Sequence, residues 1–177
     1  MFLILTPNYI PKGKQYLLIS IIFFTTYIIP VILLFMLKTL GVINNFQVHS
    51  IKERKIPIFI MFVIFYALGR LLINFPQLKE LGYLFFGTNF SLLIIYILFS
   101  FNIKTSLHIM SMASFLGFFL IYSSLHNIAI LPIAAIIIIL TGVLANARLH
   151  LNAHTHKEIY LGFFIGLISQ YLSFLFL

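Results

Sequence analysis

Of 177 residues, 62% are hydrophobic and 8% charged, against roughly 25% charged in a water-soluble domain, so the chain cannot cover itself with polar groups and must be covered by lipid. The net charge of +8 rests on 11 Lys and Arg scattered between apolar runs, which excludes a continuous nucleic-acid groove, and the absence of Cys excludes disulfides, thiolate metal sites and cysteine nucleophiles. Three carboxylates (Glu53, Glu80, Glu158) and six His are left to carry chemistry, and without Trp the interfacial anchoring falls to Tyr and basic side chains.

The first 15 residues, broken by Pro7, Pro11 and Gly13, are too short for a cleaved leader with a mature domain behind it and read as an anchor ahead of the first helix. Six apolar runs follow, at 16–37, 57–75, 81–103, 106–125, 128–146 and 158–177, each near the roughly 20 residues that cross a bilayer. Inside lipid every backbone group must be bonded within its own segment, so each run is expected to be a helix, with Pro30 and Pro132 as kinks. The expected fold is all-α, one polytopic bundle of six transmembrane helices filling residues 1–177, with no room for a soluble domain. Gly162 and Gly166 form a small-xxx-small pair in the last run and predict close helix packing. Arg70 lies near enough to its span's end to snorkel.

Parity sorts the loops. With the N-terminus on side A, side B collects 38–55, the joint Lys104-Thr105, and 147–157. That places five of six His and seven of 11 basic residues on side B, and the asymmetry predicts a site there. The densest stretch is Ala147-Arg148-Leu149-His150-Leu151-Asn152-Ala153-His154-Thr155-His156-Lys157-Glu158, with Arg148, His154 and Glu158 spaced by six and then four. If the last helix starts near Thr155, His154 sits at its N-terminus, where free N–H groups favour an anion. Glu158, one turn on, can hold the imidazole and fix its tautomer, leaving the other nitrogen as a nucleophile, while Arg148 offers a fork for phosphate oxygens.

This spacing resembles the third signature of the type 2 phosphatidic acid phosphatase superfamily: Ser-Arg, five residues, His, three residues, Asp. Thr105-Ser106-Leu107-His108 is similar to its second, Pro-Ser-Gly-His, and lies 42 residues upstream, with two spans returning the chain to the same face. Ala147 stands where the family has Ser, Glu158 where it has Asp, and Thr105 and Leu107 where it has Pro and Gly. The first signature, Lys followed at an interval by Arg-Pro, has as its nearest candidate Lys52-Glu53-Arg54-Lys55-Ile56-Pro57.

The resemblance implies an integral membrane lipid phosphatase that hydrolyses a phosphate monoester or pyrophosphate through a phosphohistidine, without metal or other cofactor. His154 would be the nucleophile, Glu158 its orienter and His108 the general acid, with Arg148, Ser106, Arg54 and Lys52 on the phosphate. The implied partners are the bilayer and a membrane lipid phosphate, at the outer face of the plasma membrane, although positive-inside counting, seven against four, points side B inward. Bland readings stand beside these. Thr155 to Glu158 is also a capping box, Arg148 could snorkel, and Lys52 to Lys55 could be a solvated cluster meeting head groups. His49, His150 and His156 are taken as bystanders, a His-ligated metal site using His150 and His154 is a rival, and a lapsed lipid-binding member of the superfamily is another.

Overall fold

The computed structural model describes residues 12–46 and 50–176, the side chains of Lys12 and Lys14 excepted. His49 and most of the N-terminal anchor lie outside the described residues. Six helices are long and apolar enough to cross a membrane, and no strand occurs among the described residues. The chain is an all-α membrane bundle.

The first span joins helix α1 (Lys12–Phe23), a π-helical turn (Phe24–Ile28) and α2 (Ile29–Thr39). The π turn is the local answer to Pro30, which has no N–H to give the preceding turn. The ladder slips, so that Ile29 N–H bonds Phe24 O, and the hydroxyls of Thr25 and Thr26 donate to Ile21 O and Ile22 O at 2.7 and 2.6 Å.

The second span, α3 (Ile51–Ile73), begins six residues before the sequence reading placed it. Ser50 is its N-cap, with Oγ accepting from Glu53 N at 3.2 Å, so Lys52 to Lys55 form its first turn and Pro57 lies inside the helix. After a 3-10 turn (Pro76–Leu78) come α4 (Lys79–Ser100), α5 (Leu107–His126), α6 (Leu131–His150) and α7 (His156–Phe176). Pro132 makes no kink: it stands in the first turn of α6, where a missing N–H costs nothing. The later start carries α6 on through Arg148, which is helical and not in a loop.

Four helices end in the same way. Gly41, Asn102, Asn127 and Asn152 take φ of 70°, 58°, 53° and 49° after α2, α4, α5 and α6. In each case the next N–H (Val42, Ile103, Ile128, Ala153) bonds the carbonyl five residues back (Leu37, Leu98, Ser123, Arg148) at 2.9 to 3.1 Å. This Schellman geometry satisfies a carbonyl that would otherwise face the membrane boundary unpaired.

At the centre of the bundle α7 is packed between α4 and α5, with α3 against α4, α6 against α5, and the first span touching the rest most sparsely. Lipid gives no hydrophobic drive for helices to associate, so close approach and interhelical hydrogen bonds hold them. Gly162 lies where a Cβ would come within 2.6 Å of Ser106 O, and a Cβ on Gly166 would meet Met110 O. Gln170 Nε2 donates to Leu84 O at 3.0 Å, Ser173 Oγ to Tyr83 O at 2.8 Å, and Ser114 Oγ to Gly166 O at 3.3 Å. Large aliphatic side chains such as Ile138, Ile139 and Val143 of α6 are left exposed, as a lipid-facing surface requires. The ends of the bundle alternate as parity demands: Glu80 at the start of α4 pairs with His126 at the end of α5, 2.5 Å apart, while the other His-Glu pair lies at the start of α7.

Candidate active site

Where α3, α5 and α7 begin and α6 ends, the bundle forms an open-sided cavity of about 540 Å³. Its polar lining is Arg54 from the first turn of α3, His108 from the first turn of α5, Arg148 from the last turn of α6, and Asn152 and His154 from the loop before α7. Apolar side chains make the rest of the wall, among them Pro30, Leu33 and Leu34 of the first span, Pro57, Ile58 and Met61 of α3, and Leu107. No Asp, Glu or Lys among the described residues lines it.

Local chain geometry brings Arg148 and His154 to one cavity. Asn152 in the left-handed region lets Ala153 N–H return to Arg148 O at 3.1 Å, so the chain reverses at once and delivers His154 beside the last turn of α6. His154 Nδ1 then meets Glu158 Oε2 at 2.6 Å. The same oxygen accepts from Thr155 N at 3.4 Å, and Glu158 N donates to Thr155 Oγ1 at 3.4 Å. One carboxylate thus closes the capping box of α7 and holds the His154 ring. With a carboxylate on Nδ1, the proton of the neutral ring is held there and the lone pair is on Nε2.

The electrostatics favour that neutral ring. Burial lowers the His154 pKa below the ordinary imidazole value, and Arg54 and Arg148 push the same way, against the Glu158 hydrogen bond that pulls it up. The His154 side chain is 5% exposed and that of Glu158 19%, so water screens the pair little. A neutral imidazole facing two guanidinia can attack an anion that they hold.

The other sequence-predicted residues separate. Lys52 is exposed on α3 and does not line the cavity, although Arg54, two residues on, does. Ser106 is fully buried and also off the cavity. Its N–H donates to Glu158 O at 3.1 Å and its carbonyl accepts from Met110 N at 2.9 Å, so its backbone docks the start of α5 on the first turn of α7, against Gly162. Its hydroxyl has no hydrogen-bond partner among the described residues. The family-like spacing is present, but at this position it holds two helices together. His150 and His156 are exposed and off the cavity, and no three His or carboxylate side chains among the described residues converge as metal ligands.

Sequence reasoning missed Asn152 and the apolar wall. Asn at a helix end is a recognisable left-handed cap, so Asn152 carried a signal. The wall carried none, because helices that are apolar on every side do not announce which face turns inward. Phe46, also on the cavity, lies 4.0 Å from Lys38 Nζ, and its loop is tied to α3 through Asn44 Nδ2, which donates to Glu53 Oε1 at 2.6 Å. Compared with known proteins, the chain matches no family model, no curated protein and no solved structure.

Proposed function

We propose that the protein is a lipid phosphatase of the type 2 phosphatidic acid phosphatase kind, with degenerate first and second signatures. The observation that carries the proposal is that two guanidinia and two imidazoles share one cavity whose remaining wall is largely apolar. Phosphate placed between Arg54 and Arg148 has its charge offset by donors already in place, the kind of arrangement that favours phosphoryl transfer. His154 Nε2 attacks phosphorus as the bond to the leaving oxygen breaks, and His108 gives that oxygen a proton. Glu158 compensates the cation that forms on the His154 ring. Water then attacks the phosphohistidine, the N–P bond breaks, His108 takes a proton from that water, and inorganic phosphate departs. Glu158 is a positioning residue, since it touches His154 and not the cavity.

The site is proposed to face outward across the plasma membrane. Two of the seven basic residues on side B line the cavity and have a reason to be there other than topology, which leaves five against four and removes most of the positive-inside bias. The test is phosphate release from a panel of lipid phosphates by the detergent-purified protein in the presence of EDTA. Wild type is compared with His154→Ala and His108→Ala, and an acid-labile, alkali-stable phosphoryl adduct is sought on the wild type. Turnover that survives His154→Ala refutes the nucleophile; no release from any lipid supports a lapsed, lipid-binding member instead.

A further inference from the structure

The walls of the cavity say which phosphate ester suits it. Among the described residues, fixed positive charge on the lining is limited to Arg54 and Arg148, with no Lys. Two guanidinia with the protonated His108 match the dianion of a phosphate monoester and the proton it needs; a diphosphate brings further negative charge with no additional permanent cation on the lining among the described residues to meet it. Beyond the phosphate end the lining turns apolar at once, with Leu107 next to the general acid and Ile58 and Met61 one and two turns inward from Arg54. Asn152 is the one side chain there, among the described residues, able to serve a hydroxyl or carbonyl apart from those assigned to the phosphate. A glycerolipid phosphate carries ester groups within a few bonds of its phosphorus, and a glycolipid phosphate carries hydroxyls and amides. Each would be desolvated against Leu, Ile and Met without a partner, which a site of this kind discriminates against.

We propose that the site takes the monophosphate of a long-chain apolar alcohol, alkyl or isoprenyl, and releases that alcohol in preference to acting on glycerolipid phosphates or diphosphates. This rests on the phosphatase reading above and narrows it. The ester P–O bond breaks, the departing oxygen takes its proton from His108 and leaves as the neutral alcohol, and the phosphoryl group passes through His154 to water. The volume of about 540 Å³ is in the range that encloses a phosphate with the near part of a chain. The remainder of the chain can lie along the sparsely packed first span, whose Pro30, Leu33 and Leu34 form one wall.

The test uses the full chain in dodecyl maltoside micelles and compares kcat/KM at equal mole fraction for dodecyl phosphate, geranylgeranyl phosphate, geranylgeranyl diphosphate and dioleoyl phosphatidate. p-Nitrophenyl phosphate serves as a soluble monoester. The two apolar monophosphates are expected to exceed the diphosphate and phosphatidate by at least about tenfold, in line with unpaired polar groups in an apolar site. Met61→Asn, which sets an amide in the wall, is expected to raise the phosphatidate to dodecyl phosphate ratio at least about threefold, a ratio that partial misfolding does not move. Equal or better turnover of phosphatidate or the diphosphate, or an unchanged ratio in Met61→Asn, overturns this substrate assignment and leaves the phosphatase standing. Silence on every ester, p-nitrophenyl phosphate included, removes both.

Discussion

Glu158→Gln separates the two duties of one carboxylate. The amide oxygen can still accept from Thr155 N, so the cap of α7 survives and unfolding in detergent should stay within about 0.5 kcal/mol of wild type. What is lost is the charge opposite His154, at 2.6 Å and with side chains 5% and 19% exposed. Hydrogen bonds to charged groups are worth about 1.5–3 kcal/mol, and that loss is felt in full when the ring becomes cationic on phosphorylation. At 1.36 kcal/mol per decade, kcat for a lipid monophosphate should fall about 10- to 100-fold. Glu158→Ala should add the loss of the capping box, about 1 kcal/mol of stability.

The pH profile supplies an independent sign. Glu158 raises the His154 pKa, while burial and the two Arg lower it. Removing the Glu158 charge leaves only the lowering influences, so the acid limb of kcat/KM, where protonation silences the nucleophile, should move to lower pH. The substrate's own ionisation is common to both proteins and cancels in the comparison. The assays are phosphate release between pH 4.5 and 8, an interval chosen to span the ordinary imidazole pKa of about 6.5, and thermal unfolding followed by circular dichroism. A Glu158→Gln protein with wild-type kcat and an unmoved acid limb would refute the orienting role and leave Glu158 as a cap alone.

Other outcomes follow from the same geometry. His108→Ala should lower kcat/KM, which reports the phosphorylation step, about 10²- to 10⁴-fold on an alkyl monophosphate but under about tenfold on p-nitrophenyl phosphate, whose leaving group needs no proton; equal losses in kcat/KM would deny His108 the role of acid. Arg54→Gln should lower kcat/KM about 10- to 100-fold by removing a charged phosphate ligand, whereas Lys52→Gln, exposed and off the cavity, should stay within about threefold. Gly162→Ala forces a Cβ onto Ser106 O and should lower stability by about 1–3 kcal/mol, while Gly142→Ala, with nothing within 4 Å, should not destabilise; equal melting of the two would contradict the packing of α7 on α5. Single Cys probes at the exposed positions Asn45 and Lys79 should label from opposite faces, and labelling from one face would break the six-span topology.

How far the sequence spoke depended on the range of the interaction. Arg148, His154 and Glu158 were legible because a helix end, a left-handed Asn and a helix start fix their relation within eleven residues of chain. His108 was legible because parity returns two spans to one face. Arg54 could be named but not placed, since its position depends on Ser50 starting α3 six residues before the apolar run begins. Ser106 was misplaced for a longer-range reason: the rotation of α5 is set by contact with Gly162 of α7, and an all-apolar helix carries no local record of its rotation. The same holds for the proline at 132, where apolar residues on both sides concealed a helix start, and for the wall contributed by the first span.

The doubled use of Glu158 bears on how relatives of this chain will be read. If the chain is the phosphatase proposed above, a descendant that had abandoned hydrolysis would still need a side-chain acceptor to close the first turn of α7, so selection for folding alone would keep Glu or Gln at that place. Its retention in another sequence is therefore poor evidence of activity. The cavity-facing side chains of Arg54 and His108 do not close the cap of α7, and in a lineage drifting from the proposed enzyme to a lipid binder they are where decay should be seen first.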